Sequence, residues 1–160
     1  MSETSPPSPC IGVISDTHGQ LRPEAVEALR GCTRILHAGD VGRSIILEEL
    51  NRVAPTLAVR GNVDHGSGLD ALPESQEIEV AGSKIYMRHI RETIPFDPTE
   101  KPFSLIIYGH SHRPEIIREK GIIYFNPGSA GPRRFRLPVT VGKIWVTAQG
   151  LEPELLTLEV

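Results

Sequence analysis

Three short apolar runs near the start of the chain each end in a glycine-containing polar loop, with helix-forming stretches between them. The runs are Cys10–Ser15 (CIGVIS), Thr33–His37 (TRILH) and Thr56–Arg60 (TLAVR). Runs this short, bounded by turn residues, read as buried strands. Pro23 opens the stretch PEAVEALRG, which stops at Gly31, and proline at a helix start with glycine past its end is the expected asymmetry. Ser44 is placed to cap SIILEELNRV, whose apolar residues recur at helical spacing. The order β-α-β-α-β predicts a parallel sheet with crossover helices. Such sheets bind ligands at the C-terminal ends of their strands. Each run here delivers polar groups to that edge: Asp16-Thr17-His18-Gly19, Ala38-Gly39-Asp40 and Gly61-Asn62.

The second half is richer in strands. Gln76–Ala81 and Lys84–Met87 flank Gly82-Ser83, a two-residue hairpin signal. Ser104–Tyr108 is a buried strand leading into Gly109-His110-Ser111-His112. Glu115–Glu119 and Ile122–Asn126 flank Lys120-Gly121, a second hairpin. Gly142–Ala148 and Leu155–Val160 read as final strands separated by Gly150 and Pro153. Residues 92–102 carry Pro95, Pro98 and Pro102 and read as loop, because proline breaks helix interiors. A second sheet packed on the first follows.

A chain of 160 residues suits one domain, and at this size roughly 70% of the unfolded surface can be buried without a staple. Residues 10–160 are expected to form that domain, and Ser- and Pro-rich residues 1–9 a disordered tail. The tail has no apolar core of a signal peptide, and no stretch reaches membrane-spanning length, so the expected location is cytoplasmic. Cys10 and Cys32 lie outside any C-x-x-C pair and read as small buried residues, not a disulfide framework. A net charge of -3 and 5% aromatics argue against wrapping duplex or stacking single-stranded nucleic acid. The basic run Arg133-Arg134-Phe135-Arg136 reads as a solvated loop.

Four polar motifs and one histidine remain to carry chemistry: Asp16/His18, Asp40, Asn62, His110/His112, and His89 at a strand end. Residues two apart on an extended segment face the same side, so Asp16/His18 and His110/His112 make two-point ligands. Carboxylate and imidazole donors without thiolate suit Mn, Fe, Zn or Ni and disfavour a Cys-type structural zinc. Seven donors exceed one tetrahedral ion and fit two ions sharing a bridging carboxylate. Two such ions, roughly 3.5–4 Å apart, can clamp a phosphate and generate hydroxide near neutral pH.

The ordered set D-x-H, G-D, G-N, H, G-H-x-H resembles the calcineurin-like metallophosphoesterase superfamily, and within it the small phosphodiesterases of the YfcE type. The strings ISDTHG, HAGDV, RGNVD, YGHSH and NPGS carry the resemblance across Ile11 to Ser129. It implies an α/β fold, a four-layer αββα sandwich of two mixed sheets flanked by helices. It implies that Asp16, His18 and His112 hold one metal, that Asn62, His89 and His110 hold a second, and that Asp40 bridges them. The cofactor implied is a pair of divalent ions, manganese first, with Fe, Zn, Ni or Co as alternatives. A metal-bridging water or hydroxide would attack phosphorus in line, with the metals stabilising the transition-state oxygens. The partner implied is a small phosphate ester, a diester ahead of a monoester, and neither nucleic acid nor a membrane.

Three departures accompany the match. Val63 stands where many members carry a histidine that protonates the leaving oxygen. Ile90 follows His89 where the family has glycine, and a β-branched residue tolerates fewer backbone conformations. The proline-rich segment 92–102 replaces a helix, which leaves that pocket wall open or reshaped. His37 reads as a packed, hydrogen-bonded residue, Asp64 as structural, and Asn126-Pro127-Gly128-Ser129 as a turn beside the site. Arg60 and His65 are candidates for the substrate's surroundings. The alternative function is a catalytically weak or inactive protein-binding scaffold on the same fold.

Overall fold

The computed structural model describes residues 9–66 and 68–160. Residues 1–8, most of the expected tail, lie outside the described residues. The first apolar run forms β1 (Cys10–Ile14), buried along its whole length, as a central strand covered on both faces must be. It pairs in parallel with β2 (Arg34–His37), and β2 pairs in parallel with β3 (Thr56–Ala58). The crossovers carry α1 (Pro23–Leu29) and α2 (Ser44–Val53). Ala25 and Leu29 of α1, and Ile46 and Leu50 of α2, bury their stripes among Cys10, Ile14, Ile35 and Val41. Ser44 does not cap α2. Arg43 holds that position, without a side-chain bond to the helix, and Ser44 is the first helical residue.

The second sheet is built from β4 (Ser75–Val80), β5 (Ser83–Arg88), β6 (Phe103–Ile107), β7 (Glu115–Glu119) and β8 (Ile122–Asn126). Its order is β4-β5-β6-β8-β7, with β5, β6 and β8 parallel and the two hairpin strands antiparallel at the edges. Val80 pairs with Ser83, so the first hairpin turns on Ala81-Gly82 (φ 51° and 82°), one residue before the expected turn. A two-residue turn of this hand needs positive φ at both central positions, which glycine at the second satisfies. Lys120-Gly121 (φ 50° and 79°) makes the other.

The chain then returns to the first sheet as β9 (Thr140–Thr147), antiparallel to β1, and β10 (Gly150–Thr157), antiparallel to β9. The first sheet therefore reads β10-β9-β1-β2-β3. Pro153, expected to separate strands, lies inside β10 opposite Ile144. An edge strand has one unpaired side, where proline's missing N–H deprives no partner.

Between the sheets Ile11, Val13, Leu36, Ile85, Met87, Leu105, Ile107 and Phe125 form one apolar layer. Each fully buried Ile or Leu contributes about 1.5–3 kcal/mol, so this layer and not the two short helices binds the halves together. On the outer face of the second sheet, Ile94 and Phe96 pack on Tyr86, Phe103 and Ile106. They come from the proline-rich segment, which forms single 3-10 turns at Arg91–Thr93 and Pro98–Glu100. The result is the expected α/β sandwich of two mixed sheets, its outermost layer made of 3-10 turns because the prolines forbid a longer helix. Cys10 and Cys32 are buried free thiols, and burial pushes Cys32 up to about 12, which keeps it inert. No helix among the described residues is long and apolar enough to cross a membrane.

Candidate metal centre

Each sheet has three parallel strands, and the loops leaving their C-terminal ends meet. Asp16, Asp40 and Asn62 follow β1, β2 and β3; His89 follows β5, and His110 and His112 follow β6. Backbone bonds join the loops directly: Asp16 N–H donates to Gly39 O at 3.0 Å and His18 N–H to Asp40 O at 3.0 Å. Across the sheets, His89 Nδ1 donates to Ala38 O at 2.7 Å and His110 N–H to Asp16 Oδ2 at 3.1 Å.

The side chains fall into two groups. In Asp16, His18 and His112, and again in Asp40, His89 and His110, the donor atoms lie within 4.8 Å of one another. His112 Nε2 is 3.3 Å from both Asp16 Oδ1 and His18 Nε2. Asn62 joins the second group, its Oδ1 at 3.0 Å from His89 Nε2 and 3.2 Å from His110 Nδ1. Asp40 Oδ2 lies between the groups, 3.1 Å from His89 Nε2 and 3.6 Å from His18 Nε2. All seven residues singled out in the sequence therefore surround one point, divided as the resemblance divides them. Asp16, Asp40, His89 and His112 form a buried floor, while Asn62 and His110 are exposed and His18 is half-buried at the rim.

A divalent cation fits these donors. Asp16 Oδ1 is buried and finds no hydrogen-bond partner among the described residues, although Asp16 Oδ2 accepts from Ser15 Oγ at 2.6 Å and from His110 N–H. A buried carboxylate oxygen with no donor is costly unless a positive charge faces it. Burial works against the charged form of Asp16, yet the imidazoles of His112 and His18, 3.3 and 3.6 Å from Oδ1, hold its carboxyl well below the usual range. Asp40 is likewise held low, against its burial, by the bond from His89. His18 is pushed up by the Asp16 carboxylate 3.6 Å away, and His89 is pushed up, against burial, by Asp40 3.1 Å away. Cations of higher charge displace the protons of such histidines.

The backbone at the ligands is unusual. Asp16, His18, Asp40, His110 and His112 all have positive φ, at 57°, 47°, 57°, 72° and 64°. The two-apart pairs therefore do not share a face through strand pleating, as the sequence suggested. They lie in loops whose residues take the left-handed conformation, uncommon for non-glycine residues and concentrated at functional sites. The glycines before Asn62 and His110 make room for a neighbouring loop. A Cβ on Gly61 would strike the Asp40 backbone and carboxylate, and one on Gly109 would strike Ser15 Oγ and come within 2.7 Å of Asp16 Oδ2.

Supporting contacts extend outward. Asp64, read as structural, is fully buried and accepts from Val41, Gly42 and Gly61 N–H at 3.2, 3.0 and 2.8 Å, tying the β2 and β3 loops together. His37 accepts from Gly39 N–H and meets Thr17 Oγ1 at 3.0 Å. Burial pulls it down to about 4, so it stays neutral. Ser15, to which the sequence assigned no role, and Asn126, read there only as part of a turn beside the site, both support the ligands. Asn126 Nδ2 donates to Gly109 O and Ser111 Oγ, both at 3.1 Å, and holds the loop carrying His110 and His112. Both lie within the motif strings ISDTHG and NPGS. Ile90 takes φ -110°, ψ 112°, extended backbone that suits a β-branched residue. Val63 uses only its backbone, donating to Asp40 Oδ1 at 3.0 Å. Beyond Asn62 and His89 opens a cavity of about 470 Å³, walled by Arg60, His65, Arg88, Ile90 and Thr93. Arg60 there bonds Glu74 at 2.9 Å and Asp70 O at 3.1 Å, a loop-holding role.

A probable metallophosphoesterase of Methanothermobacter thermautotrophicus is 34% identical over 158 residues, covering 91% of each chain. A solved archaeal phosphodiesterase superposes with TM-score 0.78 at 21% identity, covering 93% of this chain and 99% of that one. The phosphoesterase YfcE of E. coli superposes at 0.66 with 22% identity, covering 94% and 100%. Zinc-complexed Vps29 of Entamoeba histolytica superposes at 0.71 with 19% identity, covering 94% and 99%. At these identities the solved structures speak for the fold alone. A family model for the calcineurin-like phosphoesterase superfamily domain matches residues 10–148, and the chain belongs to that superfamily.

Proposed function

We propose that this chain is a dinuclear metal-dependent phosphoesterase that hydrolyses small phosphate esters, diesters ahead of monoesters. Asp16, His18 and His112 would hold one cation, Asn62, His89 and His110 the other, and Asp40 both. When bound, such a pair supplies Lewis acidity toward phosphate oxygens and a nucleophile at neutral pH. The observation that carries the reading is Asp16 Oδ1, buried and unpartnered while facing two imidazole nitrogens.

The chain's own residues prepare the ligands. His89 donates a hydrogen bond from Nδ1–H to Ala38 O, which aims the Nε2 lone pair inward. Ser15 and the His110 amide hold Asp16 Oδ2, turning Oδ1 toward the histidines. Val63 N–H holds Asp40 Oδ1 and frees Oδ2 to face both groups. The exposed rim admits the ester, and the buried floor keeps the ligands rigid. Val63 has no proton to give, so the preferred substrates carry leaving groups that depart unprotonated. Imidazole and oxygen donors without thiolate suit manganese, iron, zinc or nickel, and manganese is the ion we propose first. The archaeal phosphodiesterase of the same fold supports the preference for diesters.

The test is hydrolysis of bis-p-nitrophenyl phosphate by protein loaded with two metals per chain. Turnover with Mn is the expected result; none with Mn, Ni, Co or Zn sinks the proposal. The second reading, a protein-binding scaffold, draws on the fold likeness to Vps29. Since a Vps29 structure holds zinc, metal occupancy alone does not separate the readings. A stable stoichiometric partner together with absent turnover favours the scaffold.

A further inference from the structure

We propose that Arg113 and the loop Arg133-Arg134-Phe135-Arg136 form a nucleotide subsite beside the Asp16, His18 and His112 group, where a single base stacks on Phe135 and the guanidinium groups take phosphate charge. Its catalytic use rests on the phosphoesterase reading; its binding does not.

Phe135 is 89% exposed, far more than any other large hydrophobic residue described. It also holds φ 54°, a conformation that costs a bulky residue energy. The turn that imposes it is closed by Leu137 N–H donating to Arg134 O at 3.1 Å. A strained backbone that drives an aromatic ring into water, flanked by arginines, has no packing rationale. Arg113, Arg133, Arg134 and Arg136 are all exposed, and none forms an ion pair among the described residues, whereas Arg30, Arg60, Arg88 and Arg118 each have a glutamate. In a chain of net charge -3 this is a local, uncompensated positive patch.

The patch borders the candidate centre from two directions. Upstream of it, Gly131 lies directly against the Asp16 and Thr17 carbonyls, with no room for a side chain, and Arg22 donates to Gly131 O at 3.1 Å. Arg113 immediately follows His112 and lines a cavity of about 710 Å³ with Phe135 and Arg136.

The chemistry selects the ligand. Guanidinium forks pair with phosphate oxygens, and an exposed ring offers a stacking face to any base. One ring serves one base, whereas strand-binding platforms use several. A protein interface needs roughly 800 Å² on each side, far more than one ring and its neighbours present.

Calorimetric binding of adenosine 5′-monophosphate and ribose 5-phosphate to the full chain, with manganese and after chelation, tests the inference. The nucleotide is expected to bind about tenfold tighter than the sugar phosphate. That preference should vanish in Phe135→Ala and persist in Phe135→Trp, while Arg134→Ala weakens both ligands. Equal affinity in the unmodified chain, or a preference that survives Phe135→Ala, overturns the subsite. So does an acidic peptide that binds the patch in a chain showing no base preference. Turnover of bis-p-nitrophenyl phosphate without base preference removes the subsite alone. Base preference without turnover of any ester removes the phosphoesterase reading alone.

Discussion

His89 Nε2 stands 3.1 Å from Asp40 Oδ2, although the two residues reach that point from different sheets. The contact spans the sandwich, so the candidate centre depends on how the sheets pack and not on either sheet alone. Asp40 Oδ2 faces a histidine of each group, 3.1 Å from His89 and 3.6 Å from His18. Replacing it with alanine is expected to lower bound metal from two ions per chain toward one and to cut diester hydrolysis at least about 100-fold. Elemental analysis and turnover measured on the same sample check both parts.

Asp64 touches no candidate ligand by its carboxylate, yet three backbone N–H groups of the β2 and β3 loops depend on it. Asp64→Ala strands those donors in a buried site. The expected loss is about 3 kcal/mol of stability or more, read by urea denaturation of metal-free protein. Metal affinity should fall as well, because Gly61 and Val41 flank Asn62 and Asp40.

Gly109→Ala places a methyl group against Ser15 Oγ and Asp16 Oδ2. The carboxylate must turn or the His110 loop must retreat. An overpacked site of this kind costs about 1–3 kcal/mol, and metal affinity should weaken about tenfold or more. Calorimetric titration with manganese measures it. Unchanged affinity would mean the loop carrying His110 and His112 is not held as tightly as its contacts imply.

His37 sits near 4 in the fold, against 6.5 for the free side chain, because it is buried. Between those values the unfolded chain takes a proton that the folded chain refuses, so the contribution of His37 to stability is complete above pH 6.5 and is lost as pH falls toward 4. The loss amounts to about 3 kcal/mol by pH 4. His37→Asn keeps an acceptor for Gly39 N–H but does not titrate, so its stability should start lower at pH 7 and fall less between pH 6.5 and 4. Denaturation midpoints across that range decide the matter.

Val63 is exposed at the rim beside Asn62. Val63→His introduces a proton donor where this chain has none. Rates on esters with poor leaving groups should rise by up to about 100-fold, with little change for p-nitrophenyl esters, which need no such help. A plot of rate against leaving-group acidity should be steep for the natural chain and flatter for the variant.

Much of the molecule was legible from the chain itself. Alternating apolar runs and glycine loops determine β1, β2 and β3, the two crossovers and the edge where ligands collect, because short-range periodicity and turn chemistry are written residue by residue. The order of Asp16, His18, Asp40, Asn62, His89, His110 and His112 is equally local, and it carries the superfamily. What those residues do in space was not. Left-handed backbone at Asp16, His18, Asp40, His110 and His112 is imposed by loops bonded to one another, a long-range cause without a signature at any single position. The survival of strand β10 through Pro153, the outer layer built of 3-10 turns, and the service of Asp64 and Asn126 likewise follow from neighbours distant in sequence. Tertiary structure decided these because each depends on which groups two packed sheets leave opposite one another, a relation that periodicity along the chain does not encode.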